Sequence, residues 1–173
     1  MIPKIEKILY ATDLSKNSLY ASLYAVDMAR KHCAKIVILH SVEPFPRAFY
    51  AYAAAVDVQC LNEEQKRRQE AELDEIKKRV EELPMKMADY TGSSCTELVS
   101  KVLVPLGTPV EEILKAADEE GCDAIVLGTH GKGFLKQTFL GSTAAKVLER
   151  TRKPVFIIPL PSEKVDIHKD KMW

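Results

Sequence analysis

The stretch DAIVLGTHGKGFLKQTFLGSTAAKVLER, residues 123 to 150, decides the fold of this chain. It begins with a run of branched apolar residues at 123 to 128 and ends in a segment where Ala144 and Val147 recur at helical spacing. The loop between them, within residues 128 to 143, holds four of the chain's seven glycines. The pattern predicts a buried strand, a glycine-rich loop and a helix.

Four further apolar runs predict strands. They are KILYA at 7 to 11, KIVILHSV at 35 to 42, ELVSKVLV at 97 to 104 and PVFIIP at 154 to 159. Near-continuous rather than alternating apolar runs are typical of parallel strands that are buried on both faces. Helical patterns separate the runs, so the sequence predicts an α/β fold with an open, mostly parallel sheet covered by helices.

Two of these helices carry clear boundary signals. After the first strand, Ser15 or Asn17 can cap a helix. Thr108 can cap a later helix that has Pro109 at its first position and Gly121 at its end.

The segment from about 62 to 83 is the strongest predicted helix. Its apolar residues Leu73, Ile76, Val80 and Leu83 have 3-4-3 spacing. That spacing fits either a coiled-coil seam or a helix packed on the sheet, and the absence of sustained heptads favours the sheet.

The chain length indicates one domain. A chain of 173 residues is long enough to bury roughly 70% of the surface of its unfolded form. We expect a single domain over residues 1–160, with a helical insertion at about 46–92. The tail, 161–173, is either frayed or packed on a partner.

The charge balance excludes some classes of partner. Lysine and arginine total 25, equal to aspartate and glutamate, so no basic field favours nucleic acid or an anionic membrane. No stretch approaches the roughly 20 apolar residues of a membrane span, and we expect a cytoplasmic protein. Spacings of 27 to 35 positions, without a CxxC pair, favour buried, reduced thiols at Cys33, Cys60, Cys95 and Cys122.

The glycine-rich loop has the chemistry of a phosphate site. Glycines let backbone N–H groups approach a bulky anion, and a helix N-terminus adds unpaired N–H groups and about half a positive charge. Ser142 and Thr143 would add hydroxyl donors, and Lys132 or Lys136 could balance the anionic charge. The order GxxGxG is not the dinucleotide fingerprint, and Phe134 stands where a Walker loop needs lysine.

Asp13 is a second candidate, at the carboxyl end of the first strand. A carboxylate there can accept hydrogen bonds from ribose hydroxyls or approach Mg²⁺, although a single carboxylate is no metal cage. It can also serve as a helix-capping residue, and the two roles can coexist.

The spacing Gly128, Gly131, Gly141, Ser142, written G-x2-G-x9-G-S, resembles the ATP-binding pattern of the universal stress protein family. Other similar segments are ATDLS at 11 to 15, ILHSVEP at 38 to 44, GTPVEEI at 107 to 113 and PVFIIP at 154 to 159.

This resemblance implies a Rossmann-like five-stranded parallel sheet in the order 3-2-1-4-5. It also implies a homodimer through the last strand, residues 154–159, and bound ATP or another adenine nucleotide with Mg²⁺. Asp13 would face the ribose or approach Mg²⁺, and Ser41 or Val42 would present backbone groups to adenine. The predicted nucleotide-binding residues are Ala11, Thr12, Asp13, Ser41, Val42, Gly128, Thr129, His130, Gly131, Lys132, Gly133, Gly141, Ser142 and Thr143.

Three functions remain open at this point. The leading one is a nucleotide-dependent regulatory factor of the stress response that acts through its dimer state or through protein partners the sequence does not identify. The second is an adenylating or slowly hydrolysing enzyme of the related nucleotide α-hydrolase group, although ATDLS lacks that group's paired glycines. The third is a nucleotide-free interaction module. His130 lies between loop glycines, but no paired carboxylate or nucleophile nearby in sequence supports a general base.

Overall fold

A computed structural model describes residues 2–43, 59–91, 97–129 and 140–159 of the chain. These residues form one parallel sheet of five strands with helices on both faces. The strands are β1 (Lys7–Ala11), β2 (Lys35–Leu39), β3 (Val99–Leu103), β4 (Ala124–Gly128) and β5 (Val155–Ile158). The helices are α1 (Lys16–His32), α2 (Gln59–Glu81), α3 (Leu83–Thr91), α4 (Pro109–Glu119) and α5 (Ser142–Arg150).

The strand order is β3-β2-β1-β4-β5, with every pair parallel. The predicted α/β class and the order 3-2-1-4-5 are both confirmed. β1 lies at the centre between β2 and β4, and β3 and β5 form the two edges. The connection after β1 therefore leads towards β2, and the connection after β4 leads in the opposite direction across the sheet, towards β5.

Alternate residues of the central strands enter two separate cores. Ile8 and Tyr10 of β1 pack in a first cluster, whereas Leu9 and Ala11 pack in a second on the opposite face. All four are buried, which explains why the apolar runs lack polar alternation. The α1 residues Ala25 and Val26 belong to the first cluster.

The second cluster is closed by α4 and α5. Ile113 and Ala117 of α4 and Val147 of α5 are buried against the sheet. Arg150 of α5 also donates to both carboxylate oxygens of Glu111 in α4, at 2.6 and 3.1 Å. The Arg150 guanidinium lowers the pKa of Glu111 through this hydrogen-bonded contact.

The predicted helix at 62 to 83 packs on the sheet, as the favoured reading required. Val80 and Leu83 are buried in the first cluster, and Ile76 packs against it. The helix does not run continuously through its predicted end, because α2 stops at Glu81 and α3 begins at Leu83. Pro84 explains the break, since proline lacks an N–H and its ring opposes the preceding helical turn but fits the first turn of a new helix.

The predicted helix starts are found at the expected places, with one difference in detail. Ser15 caps α1 by accepting a hydrogen bond from the Ser18 N–H at 3.3 Å. Thr108 occupies the N-cap position of α4 and Pro109 follows it, but the Thr108 side chain makes no capping hydrogen bond. Gly121 lies just beyond α4 with a positive φ of 63°, which glycine adopts without strain.

The prediction of buried thiols is correct for Cys122 and wrong for Cys33. Cys33 is exposed because it ends α1 in the left-handed conformation, with φ 54°, and this turns it away from the apolar face of the helix. Cys60 and Cys95 are not described at the side-chain level. Burial raises the pKa of the Cys122 thiol to about 11.

We expect Ile38→Ala to lower the free energy of unfolding by about 2–5 kcal/mol, because Ile38 is completely buried in the middle of β2. Ile2→Ala is the matched control, and it should change stability by less than about 0.5 kcal/mol because Ile2 is 89% exposed. Urea unfolding followed by circular dichroism measures both. Similar losses for the two variants would contradict the assigned core.

The two cysteines should differ in their reaction with iodoacetamide at pH 8. A thiol with a pKa of about 11 is about one part in a thousand thiolate at that pH, and burial also blocks access to Cys122. Mass spectrometry of the alkylated native protein should find Cys33 modified and Cys122 unmodified. Denaturation with urea should make Cys122 react, and equal modification of both in the native protein would refute the prediction.

Candidate functional site

The candidate site lies at the carboxyl edge of the sheet, beside the point where the strand order reverses between β1 and β4. Open α/β sheets bind ligands in this crevice, because the connections leaving the two strands diverge. A cavity of ≈ 720 Å³ occupies the crevice. Its walls consist of Ala11, Thr12, Asp13, Ser18, Leu39, His40, Ser41, Val42, Glu43, Ile76, Pro109, Ile113, Leu127, Gly128, Thr129, Leu140, Gly141, Ser142, Thr143 and Ala144.

The first wall is the turn between β1 and α1, which a hydrogen-bond network holds in place. The Thr12 hydroxyl donates to Ser18 Oγ at 2.9 Å and accepts from the Leu14 N–H at 3.0 Å. The Tyr10 hydroxyl donates to the Ser18 carbonyl at 2.6 Å, and burial raises the pKa of Tyr10 above its ordinary range. Leu14 adopts a positive φ of 62°, an unfavourable conformation for leucine that the surrounding bonds maintain.

Asp13 is the chemically exceptional residue of this turn. Its Oδ1 accepts hydrogen bonds from the Ser15 N–H at 3.0 Å and from Ser15 Oγ at 2.6 Å. Its Oδ2 is buried and has no hydrogen-bond partner among the residues that the structure describes. Asp13 therefore supports the capping residue Ser15 with one oxygen. The other is an unsatisfied acceptor, which is costly to bury unless a ligand or cation completes it.

The second wall follows β2. His40 is 6% exposed, and its Nδ1 lies 2.7 Å from the Thr12 carbonyl oxygen. Ser41 Oγ donates to the Gly107 carbonyl at 2.7 Å. The Val42 N–H donates to the Pro105 carbonyl, and the Val42 carbonyl accepts from the Gly107 N–H, each at 2.9 Å. The resemblance implied that Ser41 or Val42 would present backbone groups to adenine, and both backbone groups of Val42 are thus already used within the protein.

The third wall joins the end of β4 to the start of α5. The Gly141 N–H donates to the Thr129 carbonyl at 2.7 Å, so the two ends of the glycine-rich stretch meet. Gly141 is the N-cap of α5 and has no side chain with which to cap it. The first N–H groups of any helix have no carbonyl partner inside it, and here, beginning at Ser142, they also receive no side-chain cap from Gly141. They therefore favour an anion.

Charge is distributed unevenly around the cavity. Among the described lining residues, Asp13 and Glu43 are acidic, and none is a lysine or arginine. The described part of the chain also contains no group of three or more histidine, cysteine or acidic side chains able to hold a metal ion. Positive potential at these walls therefore comes from the N-terminus of α5.

The fold brings ten of the fourteen predicted site residues to one cavity. They are Ala11, Thr12, Asp13, Ser41, Val42, Gly128, Thr129, Gly141, Ser142 and Thr143. His130, Gly131, Lys132 and Gly133 lie outside the described residues, as do Phe134 and Lys136.

Sequence reasoning missed several residues of the cavity wall. Ile76 belonged to a helix stripe assigned only to packing, and its place at the cavity depends on where α2 crosses the sheet. Ser18 carried no signal beyond its place near a helix start. His40 lies at the end of a predicted buried strand, and its contact with Thr12, 28 residues away, could not be seen in the sequence.

The fold and the site together define a Rossmann-like α/β protein with a ligand crevice at the carboxyl edge of its sheet. The model of the universal stress protein family matches residues 4–159, and the chain belongs to this family. The described helices include none that is long and apolar enough to cross a membrane.

Relatives and solved structures agree with this assignment. Universal stress protein MJ0577 of Methanocaldococcus jannaschii is 29% identical over 165 residues, covering 88% of this chain and 94% of its own. A solved structure of MJ0577 superposes with a TM-score of 0.71 at 25% identity, covering 93% of this chain and 100% of that one.

Two other solved structures that share the fold carry nucleotides. A universal stress protein in complex with cAMP has a TM-score of 0.59 at 21% identity, covering 92% of this chain and 100% of its own. One from Archaeoglobus fulgidus in complex with dAMP has a TM-score of 0.51 at 18% identity, covering 91% and 99%.

We expect Asp13→Asn to leave the unfolding free energy of the nucleotide-free protein unchanged or to raise it by up to about 1 kcal/mol. Asparagine keeps the Oδ1 acceptor for Ser15 and removes a negative charge whose second oxygen, Oδ2, has no partner among the described residues. Ser15→Ala is the comparison, and it should cost about 1 kcal/mol through the lost helix cap. Chemical unfolding measures both, and a loss for Asp13→Asn as large as that for Ser15→Ala would show that the carboxylate serves stability.

Proposed function

We propose that this protein binds ATP together with Mg²⁺ in the cavity at the carboxyl edge and acts as a nucleotide-dependent regulatory factor of the stress response. The observation that carries the proposal is the pairing of an unsatisfied buried carboxylate oxygen on Asp13 with an open helix N-terminus at Ser142 across the same cavity. A ribose or cation suits the carboxylate, and a phosphate chain suits the N-terminus.

The complexes of other family members support an adenine nucleotide as the ligand class. The two solved family structures mentioned above contain cAMP and dAMP, both adenine nucleotides. The crevice of this chain lies where its fold places such ligands, and the G-x2-G-x9-G-S spacing supplies glycines where phosphates approach the backbone. The triphosphate in particular is our inference from that spacing.

Mg²⁺ fits the chemistry of the described walls. It is usually held by one or two carboxylates together with substrate phosphates and water, so a cage of three protein ligands is not required. Asp13 is the residue that would hold it, directly or through water, since Oδ2 lacks a partner in the described part of the chain. When bound, the ion neutralises phosphate charge that Asp13 and Glu43 would otherwise repel.

We favour regulation over rapid turnover because of the kind of residues that line the described walls of the cavity. The described walls combine hydrogen-bonding groups with apolar contacts such as Ile76 and Ile113, which suit retention of a nucleoside. His40 donates from Nδ1 to the Thr12 carbonyl, and this contact holds the imidazole in place. The nucleotide would act by altering the protein's contacts. One of these contacts is a dimer formed through residues 154–159, which include the edge strand β5.

The test begins with mass-spectrometric identification of small molecules released from the purified protein. Calorimetric titration of ATP with Mg²⁺ into the stripped protein follows. We expect an adenine nucleotide to co-purify and Gly141→Val to weaken ATP binding by about tenfold or more, because a branched side chain would occupy the space before the helix N–H groups. Gly141 has φ −67° and ψ 152°, which valine also adopts, so the variant should fold.

Gly121→Asn is the matched control. Gly121 lies after α4, at the opposite edge of the sheet, and asparagine tolerates its positive φ of 63°. Its affinity for ATP should equal that of the wild type. Absence of both co-purified nucleotide and binding heat would favour an interaction module, whereas pyrophosphate release with a co-substrate would favour an adenylating enzyme.

A further inference from the structure

We infer that His40 is the positioning residue that orients the Asp13 carboxylate, and that this orientation makes the site select ligands carrying ribose hydroxyls. The inference rests on the proposed function, since it concerns how the same cavity chooses among nucleotides. It gives a role to His40, which directly follows β2 and does not belong to the turn that carries Asp13.

The starting point is the complete hydrogen bonding of Thr12. Its N–H donates to the Leu39 carbonyl at 2.9 Å, and its hydroxyl bonds both Ser18 and Leu14. Its carbonyl accepts from His40 at 2.7 Å. A carbonyl oxygen can only accept, so the Nδ1 of His40 carries the hydrogen. Thr12 is thereby fixed from β2 on one side and from α1 on the other.

The His40 contact acts on Asp13 through the peptide bond. The Thr12 carbonyl and the Asp13 N–H belong to one planar peptide group, so a bond that fixes the carbonyl also fixes the backbone entering Asp13. Beyond Asp13, Ser15 holds Oδ1 through two hydrogen bonds. Because the backbone that enters Asp13 and the Oδ1 atom are both held, the position of Oδ2 is held as well.

His40 is itself firmly anchored. It is 6% exposed, and its N–H donates to the Leu103 carbonyl of β3 at 3.0 Å. His40 directly precedes Ser41 and Val42 in the wall that follows β2. Its side chain therefore connects this wall to the β1–α1 turn, which carries the Asp13 carboxylate. Loss of its donor would leave the Thr12 carbonyl buried without this bond and let the turn, already strained at Leu14, change its conformation.

The decisive measurement is the ratio of dissociation constants for 2′,3′-dideoxy-ATP and ATP, each with Mg²⁺. For the wild type we expect a ratio of about ten or more, because a hydrogen bond to a charged carboxylate is lost with the hydroxyls. His40→Leu should bring the ratio close to one. His40→Asn should keep it near the wild-type value, because the asparagine amide nitrogen can replace Nδ1.

Two further variants separate positioning from general damage. Asp13→Asn should also bring the ratio towards one, and adding His40→Leu to it should change the ratio no further, because both act through one carboxylate. His32→Leu makes the same chemical change at an exposed position on α1 and should leave the ratio unchanged. A merely structural His40 would weaken both ligands equally and leave the ratio intact.

Hydrogen exchange in the nucleotide-free protein gives a second readout. The Leu14 and Ser15 amides donate to Thr12 Oγ1 and Asp13 Oδ1, so their exchange should accelerate in His40→Leu and stay slow in His40→Asn. If His40→Leu fails to fold, His40→Gln, whose amide lies one carbon farther out, takes its place in both measurements.

The outcomes distinguish this inference from the function on which it rests. A wild type that binds ATP and dideoxy-ATP equally, or a His40→Leu variant that keeps the full ratio, would overturn the role of His40 and leave nucleotide binding standing. A wild type that binds neither nucleotide would overturn both.

Discussion

The burial of β1 and β4 on both faces is the constraint on which the rest of the structure depends. Strands covered on both sides leave the chain no polar face, so every polar group that serves a ligand has to lie where a strand ends. Because the strand order reverses between β1 and β4, the connections from these two strands diverge and open a crevice. Asp13 and Gly141 face this crevice as a result of topology rather than of local sequence alone.

Within that crevice, hydrogen bonding is distributed unequally. Thr12 has all of its backbone and side-chain polar groups engaged, whereas Asp13 next to it keeps one buried oxygen that no described residue bonds. If stability were the only requirement on this turn, replacing the carboxylate with an uncharged side chain would raise the free energy of unfolding. The retention of an unsatisfied acceptor beside a fully bonded neighbour fits a turn that is rigid before its ligand arrives, which reduces the ordering cost of binding.

The sequence predicted the strands well because their apolar runs are local and continuous. Capping chemistry offered Ser15 or Asn17 as the start of α1, and the structure uses Ser15. The order of the strands came from the resemblance to a family, since pairing between distant segments leaves no trace in spacing. The same reason explains why the bond between His40 and Thr12 was not predicted. The exposure of Cys33 was missed because Cys33 itself adopts the left-handed conformation at the end of α1. Glycine is the usual sequence signal for that conformation, and none is present there.

The electrostatics of the cavity also limit how a nucleotide can be held. Asp13 and Glu43 contribute negative charge to the described walls, and the N-terminus of α5 contributes only about half a positive charge. A polyphosphate entering this environment gains from a divalent cation, because the cation screens its repulsion from both carboxylates. Affinity for a triphosphate should therefore depend more steeply on Mg²⁺ than affinity for a monophosphate, whose smaller charge the helix N-terminus can balance more nearly alone.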